Sequence, residues 1–251
     1  MEHAVELKAG ERLDDLQHSG LRLIQHPDAF RFGTDSVLLA DFAAPKRSDK
    51  TADLGCGTGA IAMLMAAHCP GLHVHAVEIQ PEIADMARRS VVLNAMEAQM
   101  TVHEMDMREA WRVLGAEKFN VVVCNPPYGK KGAVLLNDND AKRIARHEGD
   151  LTADDVAKSA SKLLKSGGKL CVVYPAERAF QMMQAMSRNR LAPKRIRTVH
   201  GVEGRAPRFV LLDAIKDGGE QLHWMEPLVL RNKDGSFTDE WKRIYRIEEN
   251  A

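Results

Sequence analysis

The sequence predicts an α/β fold built on a doubly wound, mostly parallel sheet, and three observations support this prediction. Apolar strand-like segments alternate with helical segments from residue 51 to residue 188. A glycine-rich turn follows the first of these strands, and residues 119–124 (FNVVVC) form a short, almost continuously apolar run. Strands that alternate with helices pair in parallel, and their buried positions are apolar on both faces. We expect seven strands, of which the last is antiparallel.

The elements are assigned in chain order. Residues 21–25 alternate like a strand, residues 30–32 can pair with them, and Thr34 or Asp35 can cap a helix that ends before Pro45. The segment 129–150 shows no strong hydrophobic period, and so long a connection is typical of a lid or binding loop. The further strands are predicted at 51–54, 73–77, 100–103, 119–124, 169–174, 195–200 and 208–215, and the further helices at 61–67, 81–94, 154–164 and 176–188.

Length and composition limit the class of protein. The 251 residues are 45% hydrophobic, which is enough for a sizeable core in one compact unit. We expect a short strand–helix extension at residues 1–45 that packs on a core domain of residues 46–251. Because 35 basic residues match 35 acidic ones, the chain is not a polycation. Nucleic-acid binding stays open, since it depends on how charge is distributed.

Neither a membrane nor a metal is expected as a partner. No apolar run approaches the roughly 18 residues of a membrane helix. The histidines and the cysteine in residues 68–75 match no zinc-ligand spacing, so we expect no metal. The four cysteines lie far apart without a CxxC pair, which favours reduced thiols and a cytoplasmic protein. The oligomeric state is left open by the sequence.

The turn at residues 53–59 (DLGCGTG) indicates a nucleotide-like cofactor. Glycines let the backbone approach a ligand closely, and the start of the following helix presents free N–H groups. The spacing of Gly55, Gly57 and Ala60, with Glu78 further on, also satisfies the dinucleotide fingerprint. These features alone fit NAD and S-adenosylmethionine (SAM) equally well.

A carboxylate beside the turn favours SAM. Asp53 precedes the first glycine by two residues, where it suits the cationic amino group of SAM and opposes a pyrophosphate. Glu78 ends the second strand and can accept hydrogen bonds from ribose hydroxyls, which either cofactor allows. Asp106 follows the third strand, where it can accept from an adenine amino group. We therefore expect SAM as cofactor and S-adenosylhomocysteine as product.

A second motif, Asn125-Pro126-Pro127-Tyr128, follows the apolar strand at the edge where open α/β sheets bind ligands. Two prolines make the turn rigid and rich in acceptors. The Asn125 side-chain oxygen and the Pro126 carbonyl can accept both protons of one planar amine, which favours a pyramidal nitrogen in the transition state. Catalysis would then come from orientation and placed dipoles. Tyr128 offers a face on which a base can stack.

The motifs DLGCGTG, VEIQ and CNPPY resemble the Rossmann-like class I SAM-dependent N-methyltransferases. FRFGTDSVLLADFA, ARHEGDLTADDV and RAPRFVLLDAIKDGG are similar to the bacterial family that N6-methylates the adenine 3′ of the anticodon in a valine tRNA. The resemblance covers residues 15–245. It implies catalytic roles for Asn125, Pro126, Pro127 and Tyr128, and cofactor contacts for Thr34, Asp35, Asp53, Gly55, Cys56, Gly57, Gly59, Glu78, Ile79, Asp106, Met107 and Asn125.

The charge distribution is compatible with a tRNA anticodon stem-loop as partner. Residues 186–210 hold seven basic residues against one acidic residue, and such a segment suits phosphates. An anticodon-loop base is already splayed, so a small enzyme can reach it. Guanine N2 in rRNA, a glutamine amide of a protein, and a non-catalytic SAM- or RNA-binding role remain as alternatives. The residues expected to contact RNA are Lys130, Lys131, Arg195, Arg197, Arg205 and Arg208.

Overall fold

The computed structural model describes residues 5–17, 19–27, 32–126 and 151–246. A nine-stranded sheet forms the centre, with the strand order β5-β4-β3-β6-β7-β9-β8-β10, and β11 also pairs with β8. The strands are β1 (Arg12–Asp15), β2 (Arg22–Gln25), β3 (Lys50–Leu54), β4 (His73–Glu78), β5 (Met100–Glu104), β6 (Phe119–Cys124), β7 (Leu164–Pro175), β8 (Leu191–Val202), β9 (Pro207–Lys216), β10 (His223–Trp224) and β11 (Leu228–Arg231).

The helices lie between the strands as the alternating pattern predicts. Strands β3 to β7 pair in parallel, and β9 runs antiparallel to both of its neighbours, β7 and β8. The doubly wound α/β prediction is therefore confirmed. The helices are α1 (Thr34–Ala43), α2 (Ala60–His68), α3 (Pro81–Leu93), α4 (Ala110–Leu114), α5 (Ala153–Leu163), α6 (Ala179–Arg188) and α7 (Asp239–Tyr245).

Two strands exceed the seven expected. The short strands β10 and β11 both add to β8 in parallel, in a segment whose charged and polar residues hide the period. They widen the sheet beyond β8 without changing the order of the seven core strands. Residues 223–224 and 228–231 therefore form part of the sheet, next to β8.

One prediction for the N-terminal segment is wrong, and a second falls mostly outside the described residues. Strand β2 pairs with β1, Arg12 opposite Gln25, and the pairing of β2 with residues 30–32 stays a prediction because residues 30 and 31 lie outside the described residues. The acidic sequence of β1 (RLDD) hid it, although its partner strand is buried. Neither Thr34 nor Asp35 is the cap of α1, because Gly33 occupies that position and provides no side-chain cap.

The β1–β2 hairpin packs on α3 and on the glycine turn. The Ile24 backbone N–H donates to Ser90 Oγ over 2.9 Å, and Gln25 Nε2 donates to Thr58 Oγ1 over 3.1 Å. Both Gln25 and Thr58 are buried. The hairpin is thus tied to both α3 and the glycine turn.

Alternating residues of the strands feed two hydrophobic layers. Val121 and Val123 pack with α1 and α2 on one face of the sheet, while Val122 and Cys124 pack with α5 and α6 on the other. Both faces are therefore covered, as a parallel sheet requires. No helix in the described ranges is long and apolar enough to span a membrane.

A buried lysine joins the end of β9 to the end of α5. The Lys216 ammonium group, with 3% of the side chain exposed, donates to the carbonyls of Ser161 and Leu164 over 2.8 Å each. It also donates to Glu117 Oε1 over 2.7 Å. A cation at the carbonyl end of a helix is favourable, because the backbone dipoles point their negative end there.

We expect Lys216→Met to lower the free energy of unfolding by about 2–4 kcal/mol, because buried carbonyls lose a charged donor while the stem volume is kept. Urea unfolding followed by circular dichroism measures this change. Glu117→Gln serves as the control, since Glu117 is 62% exposed and its loss leaves both carbonyl bonds in place. A Lys216→Met loss no larger than the control's would contradict the role assigned to the ammonium group.

Candidate active site

The glycine turn between β3 and α2 is held against the end of β4. The backbone N–H groups of Gly55 and Cys56 both donate to the Val77 carbonyl, over 2.8 and 2.9 Å. The Gly57 N–H donates to Glu78 Oε2 over 3.0 Å. Gly57 has a φ of +56°, and a Cβ built there would meet nothing within 4 Å. The turn therefore opens onto free space at the carboxyl edge of the sheet.

Asp53 is a fully buried carboxylate beside this turn. Neither of its oxygens has a partner at hydrogen-bond geometry among the described residues. Burial raises the pKa of Asp53 to about 7; the Ala62 backbone N–H opposes the rise, and the Glu78 charge adds to it. A buried, unpaired carboxylate is unfavourable unless a donor or a cation meets it. Its chemistry fits the ammonium group of an amino acid.

Glu78 stands at the end of β4 and serves the turn itself. Its second oxygen accepts from the Gln80 N–H over 2.9 Å, and burial raises the pKa of the carboxyl group. Each carboxylate oxygen still has a second lone pair, which ribose hydroxyls can use. The next residue, Ile79, leaves an apolar side chain 37% exposed at the same edge. Glu78 and Ile79 therefore place hydrogen-bond acceptors next to an apolar surface at this edge of the sheet.

Two further predicted contacts follow β5. Asp106 forms an ion pair with Arg108 through three side-chain hydrogen bonds, the shortest of 2.6 Å. Burial raises the pKa of Asp106, but these bonds outweigh burial and hold it below its usual value. Met107 is buried, and a Cβ at Gly55 would lie 3.2 Å from its Cε. Cys56 is a small buried residue whose pKa is raised well above its usual value by burial.

The turn after β6 contacts the start of α1. Asn125 Nδ2 donates to Asp35 Oδ2 over 2.8 Å, although the two residues lie 90 positions apart. A carboxylate accepts only from the NH2 end of an amide, so this bond fixes the orientation of the Asn125 side chain. The Oδ1 end is then the one that can accept from a substrate amine. Pro126 follows and is buried, whereas Pro127, Tyr128, Lys130 and Lys131 lie outside the described residues.

The basic segment 186–210 separates into two groups. Arg195 donates to Asp213 over 2.6 Å, and Arg197 holds both oxygens of Glu240 over 2.7 and 2.8 Å. Arg190 pairs with Asp217 at the opposite, amino edge of the sheet. Their carboxylate partners come from outside the segment, which a local count of charge does not register. These ion pairs give Arg195 and Arg197 a structural role, and their RNA contact stays a prediction.

Arg205 and Arg208 differ from that group. Both are exposed, and neither forms an ion pair within the described ranges. With Arg231, they line a cavity of about 620 Å³ that also includes Thr34. The sequence analysis did not predict that three aromatic residues line this cavity. Their spacing of four residues is typical of one face of a helix and could have indicated it. They are Phe237, Trp241 and Tyr245.

Sheet order, glycine turn and buried carboxylate together define the class of protein. A parallel sheet with this single inserted antiparallel strand, carrying an acid–glycine turn and an Asn-Pro turn at one edge, is that of a SAM-dependent methyltransferase. The methyltransferase small domain model matches residues 28–192, and the chain belongs to that family. It is therefore an enzyme that uses SAM. The four cysteines are free, and the described residues contain no group of three or more side chains arranged to hold a metal.

Named relatives agree with this class. A protein of Yersinia pseudotuberculosis serotype O:3 (strain YPIII), named tRNA1(Val) (adenine(37)-N6)-methyltransferase, is 27% identical over 86% of this chain and 84% of its own length. A solved structure from Agrobacterium tumefaciens, described as a predicted O-methyltransferase, has a TM-score of 0.71 and 28% identity over 85% of this chain and 96% of that one. Geranyl diphosphate C-methyltransferase from Streptomyces coelicolor A3(2), in a complex that includes S-adenosyl-L-homocysteine, shares the fold, with a TM-score of 0.54 and 15% identity over 72% and 78%.

We expect the affinity for SAM to fall as the pH drops below 7. Because the pKa of Asp53 is about 7, a growing fraction of its carboxyl groups becomes protonated as the pH falls. A neutral carboxyl group binds the ammonium group of SAM more weakly than a carboxylate does. The fall approaches tenfold per pH unit. Calorimetric titration between pH 5.5 and 8.5 measures it.

Asp53→Asn is the matched variant for this titration. It should bind SAM weakly with a flat pH profile, and it should raise the melting temperature of the cofactor-free enzyme at pH 8, where the native side chain is a buried charge. A pH slope that survives in Asp53→Asn would assign the titration to another group.

Proposed function

We propose that this enzyme transfers the SAM methyl group to the exocyclic N6 amine of an adenine in tRNA, next to the anticodon of a valine tRNA. The observation that best supports the proposal is the 2.8 Å hydrogen bond from Asn125 Nδ2 to Asp35 Oδ2. This bond engages the NH2 end of the amide, so that the amide oxygen is the end that can accept from a substrate amine. The name of the Yersinia relative supports the same substrate. A cytoplasmic location follows from a tRNA substrate and is part of the proposal.

In the proposed reaction the chain's own residues orient the amine. The Asn125 Oδ1 and the Pro126 carbonyl accept one hydrogen bond each from the two protons of the target –NH2. Accepting both protons draws the nitrogen lone pair out of conjugation with the ring and aims it in one direction. Bound SAM supplies an electrophilic methyl group on a sulfonium. Asp35 does not touch the amine in this scheme; it is a positioning residue for Asn125.

The cofactor contacts are proposed on the same basis. Asp53 would meet the amino group of SAM, Glu78 its ribose hydroxyls, and Ile79 one face of its adenine. Asp106 can accept from the adenine amino group only with the lone pairs that Arg108 leaves unused. For Thr34, the described contacts favour the cavity rather than the cofactor.

The substrate is tested by transfer of labelled methyl from SAM to unmodified tRNA, to rRNA and to release factor in parallel. Digestion of the labelled RNA and mass spectrometry identify the nucleotide. We expect label on one tRNA adenine. Label on rRNA guanine or on a protein glutamine would replace the proposed substrate, and SAM binding without any label would favour a non-catalytic role.

We expect Asn125→Ala to lower kcat by at least a hundredfold, because one placed acceptor is lost in the transition state. The dissociation constant for SAM should stay within about threefold. A comparable loss of SAM affinity would contradict a role confined to the target amine.

Two substitutions of Asp35 distinguish its hydrogen bond to Asn125 from the effect of its charge. Asp35→Ala should lower kcat about tenfold or more, since the Asn125 amide loses its partner. Asp35→Asn should restore most of kcat, because its amide oxygen still accepts from Asn125 Nδ2. Equal losses in the two variants would show that the carboxylate charge, rather than the hydrogen bond, is what matters.

A further inference from the structure

We propose that the cavity at the start of α1 binds a nucleotide of the RNA substrate, with a phosphate against its arginines and a base against its aromatic wall. The inference rests on the proposed function, because it assigns an RNA contact to the same enzyme. The cavity has a volume of about 620 Å³, within the range of about 300–1,000 Å³ in which small ligands bind. We call it the arginine–aromatic cavity, defined by Arg205, Arg208, Arg231, Phe237, Trp241 and Tyr245.

Sheet topology puts this cavity at the catalytic edge. Strand β8 has the direction of β7, because both run antiparallel to β9. Its carboxyl end at Val202 therefore lies at the same edge as the end of β6, which carries Asn125. Arg231 stands opposite Val202 in the parallel pair of β11 and β8, and Arg205 lies in the connection from β8 to β9. All three arginines thus come from strand ends on the reacting side of the sheet.

Residues at the start of α1 join the cavity to the active site. Thr34 lines the cavity, and the next residue, Asp35, accepts from the Asn125 amide over 2.8 Å. Tyr245 also lines the cavity, and burial followed by the Asp35 charge raises the pKa of its hydroxyl group. An RNA strand whose target base reaches Asn125 would therefore pass this cavity with a neighbouring nucleotide.

The arginines of the cavity are available for an anion. Arg231 donates to the Gly235 carbonyl and lies 3.9 Å above the Phe237 ring, without a carboxylate partner in the described ranges. Arg205 and Arg208 are likewise unpaired there, and the one acid of their connection, Glu203, faces Lys233 at 3.9 Å. Planar guanidinium groups match the geometry of phosphate oxygens.

The aromatic wall argues for a nucleotide rather than a bare anion. Phe237, Trp241 and Tyr245 follow one another with ring centroids 6.1 and 4.3 Å apart. Trp241 is buried and supports the other two, which are half-buried. Cationic grooves lined with aromatic rings are typical of sites for single-stranded nucleic acid. An acidic peptide would use the charges but would gain little from the rings.

The test measures binding of unmodified tRNA in the presence of S-adenosylhomocysteine, so that no turnover is required. We expect the double variant Arg205→Ala/Arg208→Ala to bind at least tenfold more weakly, and the slope of log Kd against log salt to flatten by about 1 to 2. The matched control is Arg47→Ala/Lys118→Ala, which removes two exposed charges near the starts of β3 and β6 at the opposite edge. The control should bind within twofold of the native enzyme.

A second pair of variants tests the wall. Tyr245→Leu should weaken binding several-fold, whereas Tyr245→Phe keeps the ring and should bind nearly as the native enzyme does. Melting temperatures identify any variant that fails to fold. If a Tyr245 variant does not fold, the test depends on the Arg205→Ala/Arg208→Ala double variant, whose substitutions are at exposed residues. Equal effects in the cavity and control variants, an unchanged salt slope, or arginine-dependent binding of an acidic peptide instead of tRNA would each overturn the proposal.

The two proposals fail separately. Tight, arginine-dependent binding of an RNA that is never methylated would uphold the cavity and overturn the proposed function. Methylation of tRNA with binding unchanged in the cavity variants would overturn the cavity alone.

Discussion

Parallel pairing of β3 with β4 on one side and with β6 on the other is the constraint from which the active site follows. In these ladders Asp53 stands opposite Ala76 and also opposite Val123, so the three strands end almost level. The chain must leave each strand at the same edge, and each exit carries one functional turn. Backbone hydrogen bonds, rather than contacts between the functional side chains, therefore bring residues 53, 78 and 125 together.

That arrangement has an energetic cost that is concentrated in two acids. Asp53 is buried without a partner in the described ranges, and Glu78 is buried while serving the turn, so burial raises the pKa of both. A chain selected only for stability would place apolar or paired residues there. In the proposed function, a cationic, hydroxyl-bearing cofactor would supply a donor to Asp53 and further donors to Glu78. The energetic cost of burying these two acids and the proposed affinity for SAM thus have the same physical origin.

Sequence periodicity was sufficient for the parts of the fold that are buried on both faces. The run FNVVVC predicted β6 with its bounds, because both faces of that strand meet helices. The pattern failed where charged residues mask burial: the sequence of β1 is RLDD, and no strand was predicted there. The acid–glycine and Asn-Pro motifs predicted the chemistry of the edge. The bond between Asp35 and Asn125 joins residues too distant in the chain for any local signal.

The basic residues show why a charge count along the chain is a poor guide to a binding surface. Arg195 forms an ion pair with Asp213 of β9, and Arg197 forms one with Glu240 of α7. Both acids lie outside the basic segment and reach it only through the fold. Arg205 and Arg208 lie at the carboxyl edge of the sheet because β9 reverses direction there. If β9 ran parallel to β8, the chain would have to cross to the amino edge before returning, and no short connection could hold two arginines at the carboxyl edge. One antiparallel strand in a parallel sheet therefore places two arginines, which have no ion-pair partner among the described residues, at the carboxyl edge that carries the glycine turn.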